Sequence, residues 1–233
     1  MLGALYSTSG ALNTAWALQE ISSFNLAHAG VPGFKRIVVG MEAQQHSLDY
    51  VSSQKEAMIG GIRTRVDLSP GSLYHTGNPW DVALKDNRFL VVEHDGQRYL
   101  TKKGALTVDS DGQIITRDGF RVAPGINVPA SFKEIVINGE GAVIVDGTRA
   151  GVVSTVSVND ISEIERVGVT LFKSSAEEAR ELDANAVASG YLEGSNVNVV
   201  EELVTLMSAL RFYEAAVKTT QVIEDVLVER LRT

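Results

Sequence analysis

The chain has 233 residues, a formal net charge of −8 and 44% hydrophobic residues, a composition typical of a folded protein with a buried core. The absence of cysteine excludes disulfides, thiolate-ligated metals and cysteine nucleophiles. The acidic balance argues against a nucleic-acid partner, which requires a basic face, and no apolar run is long enough to predict a membrane-spanning segment.

The N-terminal stretch is nearly free of charge. Glu20 is its only charged side chain before Lys35, which is the first basic residue of the chain. Because a cleaved secretory signal begins with a basic region, this stretch does not predict a cleaved signal peptide. We expect the protein either to stay in the cytosol or to be exported by a route that does not read such a signal. A segment so poor in charge is suited to being surrounded by other protein.

Helical periodicity predicts one long helix in this stretch. Apolar and small polar residues recur at alternating steps of three and four between residues 2 and 26, and Leu12, Trp16 and Leu26 belong to this series. Such heptad spacing predicts a seam that packs against another helix. Gly30, with Pro32 two residues later, is expected to cap and end the helix.

The middle of the chain changes in character twice. Residues 36–79 contain Gly-Gly, Pro-Gly and Gly-Asn-Pro sequences and are expected to form an extended linker region. Residues 80–189 are expected to form a central domain of antiparallel strands, because short apolar runs there alternate with hairpin dipeptides. The dipeptides are Asp95-Gly96, Asp111-Gly112, Asp118-Gly119, Asn138-Gly139 and Asp146-Gly147. The runs are Phe89–Val92, Ala105–Val108, Gln113–Thr116, Glu134–Ile137, Ala142–Val145 and Val152–Val156.

The C-terminal stretch predicts a second long helix, whose heptad seam includes Leu203, Leu206 and Leu210. Asn198 is its expected N-cap, and Glu201 three residues later gives a capping-box pattern. Helices at both ends of a β middle predict an α+β fold in which residues 1–35 and 190–233 pair as a coiled coil. The alternative is that the two helices simply cover the core of a compact domain.

Motifs for chemistry do not occur. The sequence has no nucleotide-binding loop, no metalloprotease motif and no serine-hydrolase motif. The four histidines, His28, His46, His75 and His94, show no metal-ligand spacing. We therefore expect no catalytic residue, no metal or other cofactor and no small-molecule substrate.

Three segments resemble signatures of the bacterial flagellar rod, hook and hook-associated axial proteins. Residues 25–36 (Asn-Leu-Ala-His-Ala-Gly-Val-Pro-Gly-Phe-Lys-Arg) resemble the family's Asn-Leu-Ala-Asn followed by Thr-Pro-Gly-Phe-Lys. Residues 76–84 (Thr-Gly-Asn-Pro-Trp-Asp-Val-Ala-Leu) are similar to its Thr-Gly-Asn-Pro-Leu-Asp, and residues 99–104 to its Tyr-Thr-Arg-x-Gly hairpin. Residues 190–198 (Gly-Tyr-Leu-Glu-Gly-Ser-Asn-Val-Asn) are close to its Gly-x-Leu-Glu-x-Ser-Asn-Val-Asn. The chain departs from these signatures at His28, Val31 and Lys102.

The resemblance spans the whole chain, and the length is most similar to the basal-body rod proteins of the proximal or distal rod group. It implies a structural subunit of a hollow drive shaft that transmits torque and through which export proceeds, with the terminal helices inside and the β domain outside. Implied partners are copies of the chain, other rod and hook axial proteins and the flagellar type III export apparatus. The implied location is the basal body in the periplasmic space, reached without a cleaved signal peptide. Two other hypotheses are a secreted β-rich binding or adhesion module on helical stalks and a secreted enzyme on a β scaffold.

The resemblance implies packing roles for the residues of these signatures. Pro32 and Gly33 would turn the chain out of the first helix, with Phe34 anchoring the turn. The returning segment would use Gly190, Leu192, Ser195 and Asn196, and Asn198 would cap the second helix. The seam would consist of Leu12, Trp16, Leu26, Leu203, Leu206 and Leu210. His28 would hydrogen-bond the last carbonyls of the first helix.

Overall fold

The computed structural model describes residues 2–39, 57–59, 62–158, 164–174 and 186–232. Two long helices flank a middle built of strands, so the α+β class predicted from the sequence is confirmed. The helices are α1 (Leu2–Ala27) and α2 (Val199–Arg232). The strands are β1 (Ile37–Val39), β2 (Ala57–Ile59), β3 (Ile62–Val66), β4 (Leu73–His75), β5 (Val82–Leu84), β6 (Arg88–His94), β7 (Gln97–Thr101), β8 (Leu106–Val108), β9 (Ile114–Thr116), β10 (Arg121–Val122), β11 (Ile135–Ile137), β12 (Ala142–Val145), β13 (Thr148–Val152), β14 (Thr155–Ser157), β15 (Ile164–Arg166), β16 (Leu171–Ser174), β17 (Val187–Ser189) and β18 (Tyr191–Glu193).

Helix α1 ends at Ala27, and the prediction that Gly30 caps it is wrong. The next two backbone N–H groups donate to carbonyls three residues back (3.1 and 3.2 Å), which tightens the end of the helix into turns. His28 Nδ1 lies 2.8 Å from the carbonyl oxygen of Phe24, so this side chain satisfies one further carbonyl at the helix end. The residue with a left-handed backbone is Gly33, with φ of 73°.

Helix α2 starts with the geometry of an asparagine N-cap. Asn198 Oδ1 accepts hydrogen bonds from the backbone N–H groups of Val200 and Glu201, at 3.1 and 3.4 Å. The Glu201 carboxylate lies 3.4 Å from Nη1 of Arg36. The side chain expected to complete a capping box thus reaches the segment that follows α1.

The largest sheet has eight strands in the order β15-β16-β7-β6-β10-β9-β8, with β14 also paired to β6. Its strand pairs are antiparallel. Two of the predicted hairpin dipeptides have both residues at positive φ, as a type I′ turn requires: Asp95-Gly96 joins β6 to β7, and Asp146-Gly147 joins β12 to β13. The predicted domain of antiparallel strands is confirmed, although the strands of the large sheet do not follow one another in chain order. Only the run Val152–Val156 is divided, because β13 ends at its first residue and β14 begins at its fourth.

Strand β6 is buried on both faces, which explains its continuous apolar sequence. Leu90 and Val92 belong to one hydrophobic cluster, together with strands β5, β9, β11 and β12. Phe89 and Val91 belong to a second cluster, with Leu100 and Phe172 among its members. Because side chains alternate along a strand, the two clusters lie on opposite sides of β6.

Smaller sheets bring the two ends of the β region to the base of the helices. Directly after α1 the chain forms β1, which pairs with β3, and β3 pairs in turn with β2. Just before α2 the chain forms β17 and β18, which pair with β5 and β4. Strands β11, β12 and β13 form a separate three-stranded sheet. The segment that leaves α1 and the segment that returns to α2 therefore lie side by side.

Helices α1 and α2 pack against each other. Asn25, near the end of α1, contacts Glu202, near the start of α2, so the two helices run antiparallel. Among the helix residues whose burial is described, the buried ones are Ala15, Ala17, Ile21, Ser22 and Asn25 in α1 and Glu202, Ala209 and Ala216 in α2. Most of these side chains are small. Among the residues that the structure describes, neither helix is long and apolar enough to cross a membrane.

Candidate assembly site

The segments 25–37 and 190–202 form what we term the helix–sheet junction. The backbone N–H of Gly33 donates to the carbonyl of Glu193 (2.8 Å), which joins the exit from α1 to the return toward α2. A Cβ atom at Gly33 would lie 2.6 Å from the carbonyl carbon of Lys102 and from the backbone nitrogen of Lys103. Both this close approach and the positive φ require glycine.

Three buried charged side chains meet at the centre of the junction. Glu193 Oε1 lies 2.6 Å from Lys35 Nζ, and Glu193 Oε2 lies 3.5 Å from Lys102 Nζ, with each side chain at most 3% exposed. The backbone N–H of Gly71 donates to Glu193 Oε1 (3.0 Å), and Lys35 Nζ donates to the Ser69 carbonyl (2.7 Å). One carboxylate therefore connects the exit turn, β18, the β7–β8 connection and the segment before β4.

Lys102 holds a second ammonium group against the same carboxylate. Its Nζ donates to the Asp86 carbonyl (2.5 Å) and lies 5.2 Å from the centre of the Phe89 ring. Burial lowers the pKa of Lys102 to about 8, although the Glu193 carboxylate acts in the opposite direction. Below that pH two buried ammonium groups share one carboxylate.

Phe34 is fully buried and is held between aromatic and cationic groups. The Phe34 ring stacks on the ring of His28, with the two centroids 5.1 Å apart. In a second contact, the guanidinium of Arg166, a residue of β15, lies 4.9 Å from the centre of the Phe34 ring. Arg166 also donates to the carbonyl oxygens of Lys35 and Val169. Burial lowers the pKa of Arg166 to about 10. The exit turn is therefore attached to the large sheet as well as to β18.

Asn196 connects three backbone segments with its side-chain amide. Oδ1 accepts a hydrogen bond from the backbone N–H of Arg36 (2.7 Å). Nδ2 donates to the carbonyls of Asp67 (2.9 Å) and Ser69 (3.1 Å). The return segment is thus bonded to the start of β1 and to the end of β3.

Asn25 makes the corresponding connection from the helix side. Its Oδ1 accepts from the backbone N–H of Ile37 (2.9 Å), and its Nδ2 donates to the Ile37 carbonyl (2.9 Å). Nδ2 also donates to Oε1 of Glu202 on α2 (3.0 Å). Asn25 is completely buried, so one amide joins α1, β1 and α2 out of contact with water.

Other residues named from the sequence also lie at the junction. Gly190 has φ of 77°, Leu192 is buried, and Ser195 Oγ accepts the backbone N–H two residues later (3.2 Å). Pro32 and Leu26 are half-buried. The structure therefore brings together the exit and return residues that the signatures contain.

The seam residues lie elsewhere. Trp16 is 53% exposed, Leu203 is 45% exposed and Leu210 is 41% exposed. Leu12 and Leu206 are half-buried. In the free chain Trp16, Leu203 and Leu210 are therefore largely outside the buried contact between α1 and α2, and Leu12 and Leu206 lie partly outside it.

Helical geometry explains this separation. Trp16 and Asn25 are nine residues apart, and at about 100° per residue they point to opposite sides of α1. We call Leu12 and Trp16 the outer face of α1. On α2, Leu203 and Met207 are exposed on the side away from Glu202, together with Val200 and Val204, and these four residues form the outer face of α2.

Several junction residues received no role from the sequence. Glu193 does carry a signal, because it is a single charge between Leu192 and Gly194 inside a signature segment, and Lys35 also lies inside a signature segment, directly after Phe34. Asn25 is also part of a signature segment, as the first residue of the segment 25–36. Lys102 and Arg166 carry no such signal, because their burial depends on segments distant in the chain.

The described residues contain no group of three or more histidine or carboxylate side chains that could hold a metal ion. The interactions that the structure shows at the junction are packing, hydrogen bonds and ion pairs.

Known proteins match the chain over nearly its full length. The family model described as the flagellar hook protein FlgE/F/G D1 domain matches residues 83–145, and that of the flagellar basal body rod FlgEFG protein C-terminal region matches residues 188–227. Flagellar basal-body rod protein FlgF of Escherichia coli K12 is 30% identical, over 95% of this chain and 94% of its own. Flagellar basal-body rod protein FlgG of Buchnera aphidicola subsp. Baizongia pistaciae is 25% identical, over 97% of this chain and 98% of its own. FlgG of Agrobacterium fabrum is 27% identical, over 84% of this chain and 85% of its own.

Replacing Gly33 with alanine tests the backbone approach at the junction. The left-handed φ alone makes Gly33→Ala cost about 1–3 kcal/mol, and the overlap with the Lys102 carbonyl adds to this loss. Gly30→Ala is the matched control, because φ is not positive there and no atom lies within 4 Å of the added Cβ. Urea unfolding followed by circular dichroism measures both free energies of unfolding. Equal values for the two variants would contradict the described geometry.

Lys102 predicts a pH dependence of stability. Because its pKa is lowered from 10.5 to about 8 in the folded chain, the unfolded chain binds more protons between these values. The free energy of unfolding therefore rises with pH in this window, by up to about 1.4 kcal/mol per pH unit. Lys102→Met should remove this contribution. The control is Lys103→Met, which removes an ammonium group paired with Asp118 on the surface (2.6 Å) and keeps the slope. Urea titrations across the window that give parallel slopes for both variants would refute the assignment.

Proposed function

Because the chain belongs to the family of flagellar basal-body rod proteins, we propose that it polymerises through the outer faces of its two helices. The family is structural and not enzymatic, so the chain is a structural subunit of the rod, located at the flagellar basal body. It assembles with other axial proteins of the flagellum. The observation that carries the proposal is the exposure of large apolar side chains on both helices.

The two outer faces differ in composition and in position. The outer face of α1 contains Trp16 on a helix with one charged residue, whereas that of α2 is aliphatic and includes Met207. Each face points away from the contact between the helices, so the two lie on opposite sides of the helix pair. Two unlike patches on opposite sides favour head-to-tail contacts, which leave a growing end open and build a helical tube.

Burial in the polymer would stabilise these contacts. A large apolar side chain contributes about 1.5–3 kcal/mol when it is removed from water, so a few such residues per subunit suffice for cooperative growth. In this arrangement Leu12, Trp16, Leu26, Leu203, Leu206 and Leu210 contribute coiled-coil contacts within and between subunits. The residues Pro32, Gly33, Phe34, Gly190, Leu192, Ser195, Asn196 and Asn198 hold the junction that carries the helices.

The domain division follows from this arrangement. Residues 1–35 and 190–233 form the inner, helical layer of the tube, and residues 80–189 form the outer β domain. Residues 36–79 connect the two. Strands β1 and β3 of this connecting region pair with each other next to the junction, which supports a connection of defined geometry.

Export completes the proposal. The subunit is delivered by the flagellar type III export apparatus to the periplasmic part of the basal body without a cleaved signal peptide. The lack of a basic region before Lys35 supports this route, because a secretory signal needs one. The almost uncharged α1 then serves as a part of the mature tube.

Met207→Asp tests the outer face of α2. Met207 is 55% exposed in the free chain, so an aspartate there leaves the monomer folded but places a charge in the proposed subunit contact. Thr219→Asp is the control, because this exposed position lies about 110° around α2 from the centre of the outer face and more than three turns beyond Met207. In a strain that lacks its own copy of the gene, we expect export of both variants but no filaments or swimming with Met207→Asp. Normal motility of that variant, or equal loss in the control, would refute the proposed face.

A further inference from the structure

The rotation of α1 about its axis is unexpected from its apolar residues alone. Trp16 points outward, and the buried side of α1 carries Ala15, Ala17, Ile21, Ser22 and Asn25, of which only Ile21 is a large apolar residue. Removal of apolar area from water favours burial of the tryptophan over burial of alanine and serine. Another interaction must therefore prevent α1 from rotating about its axis to a position in which Trp16 packs against α2.

The opposite helix presents few large side chains that could fix this rotation sterically. Among the residues of α2 whose burial is described, the fully buried apolar ones are Ala209 and Ala216, both small, and Leu206 is half-buried. Contacts between small side chains interlock weakly, since register and rotation in helix pairs are set by large knobs or by single buried polar groups. The contact face along the helices, in which Ile21 is the one large fully buried apolar residue described, thus selects a rotation only weakly.

Polar groups at the base of the pair do select one rotation. The Asn25 amide makes all three of its hydrogen bonds on the buried side of α1, two with Ile37 and one with Glu202, at 2.9–3.0 Å. Glu202 is itself only 6% exposed. Turning α1 would break these bonds and leave the amide, the carboxylate and the β1 backbone unpaired in a buried place, which is unfavourable.

We propose that Asn25 and Glu202 are positioning residues that fix the rotation of α1 and thereby keep Trp16 exposed in the unassembled subunit. The pair holds a large apolar side chain away from the contact that would otherwise bury it within the same chain. This property belongs to the free chain, so it can be tested whether or not the proposed function holds. Its use in assembly rests on the proposed function.

The test uses the full chain with 5-fluorotryptophan at both tryptophan positions, Trp16 and Trp80. The change of each ¹⁹F shift between H₂O and D₂O reports the exposure of that indole, and Trp80, packed on the β core, is the internal reference. The samples are shown to be monomeric by sedimentation velocity, and circular dichroism measures their helix content. The variants are Asn25→Leu/Glu202→Leu, which replaces the polar pair by an apolar one, and Glu202→Gln, which keeps an oxygen that accepts from Asn25.

We expect the solvent isotope shift of Trp16 to fall by at least half in Asn25→Leu/Glu202→Leu at unchanged helix content. The parent and Glu202→Gln should both keep the full shift, and Trp80 should not change. Asn25→Ala, a smaller alteration, should give an intermediate Trp16 shift. The proposal is overturned if Trp16 stays fully exposed in the double variant, if Glu202→Gln behaves like the double variant, or if both Asn25 variants lose helix content, since the pair would then stabilise the helices without selecting their rotation.

Discussion

A single buried carboxylate, that of Glu193, holds the junction on which the rest of the structure depends. It is paired with Lys35 from the exit turn and Lys102 from the β domain, and it accepts the backbone N–H of Gly71. A buried charge is tolerated only when it is paired, and removal of one partner leaves the others uncompensated. If the exit turn, the return strand or the β domain separated from the others, Glu193 or one of its two lysine partners would lose its ion pair.

This constraint explains how α1 and α2 keep one relative orientation although few large side chains interlock between them. The junction fixes where α1 ends and α2 begins, and Asn25 and Asn196 add backbone-directed hydrogen bonds around it. The contact between the helices then needs few large residues. Large apolar residues such as Trp16 and Met207 remain on the outside, where we propose that the subunit contacts its neighbours in the rod. In this proposal, burial inside the chain serves orientation and exposure outside it serves assembly.

The sequence predicted the elements well because they depend on local signals. Heptad spacing located both helices, and dipeptides such as Asp95-Gly96 located the hairpins. Heptad spacing identifies a face that favours burial, but it does not say which chain buries it, and in the free subunit the α1 face with Trp16 is exposed. Gly30 was mistaken for the cap because only tertiary contact with the β7–β8 connection shows that Gly33 is the position that requires glycine. The burial of Lys102 is not predicted for the same reason, because it comes from distant segments.

Hydroxyl-radical footprinting of the free subunit and of purified basal bodies tests the central claim most directly, because exposed tryptophan and methionine react readily with the radical. We expect Trp16 and Met207 to be modified in the free subunit, where both are more than half exposed, and to be protected in the rod. Equal modification of these two residues in the free and assembled states would contradict the claim that the outer helix faces carry assembly.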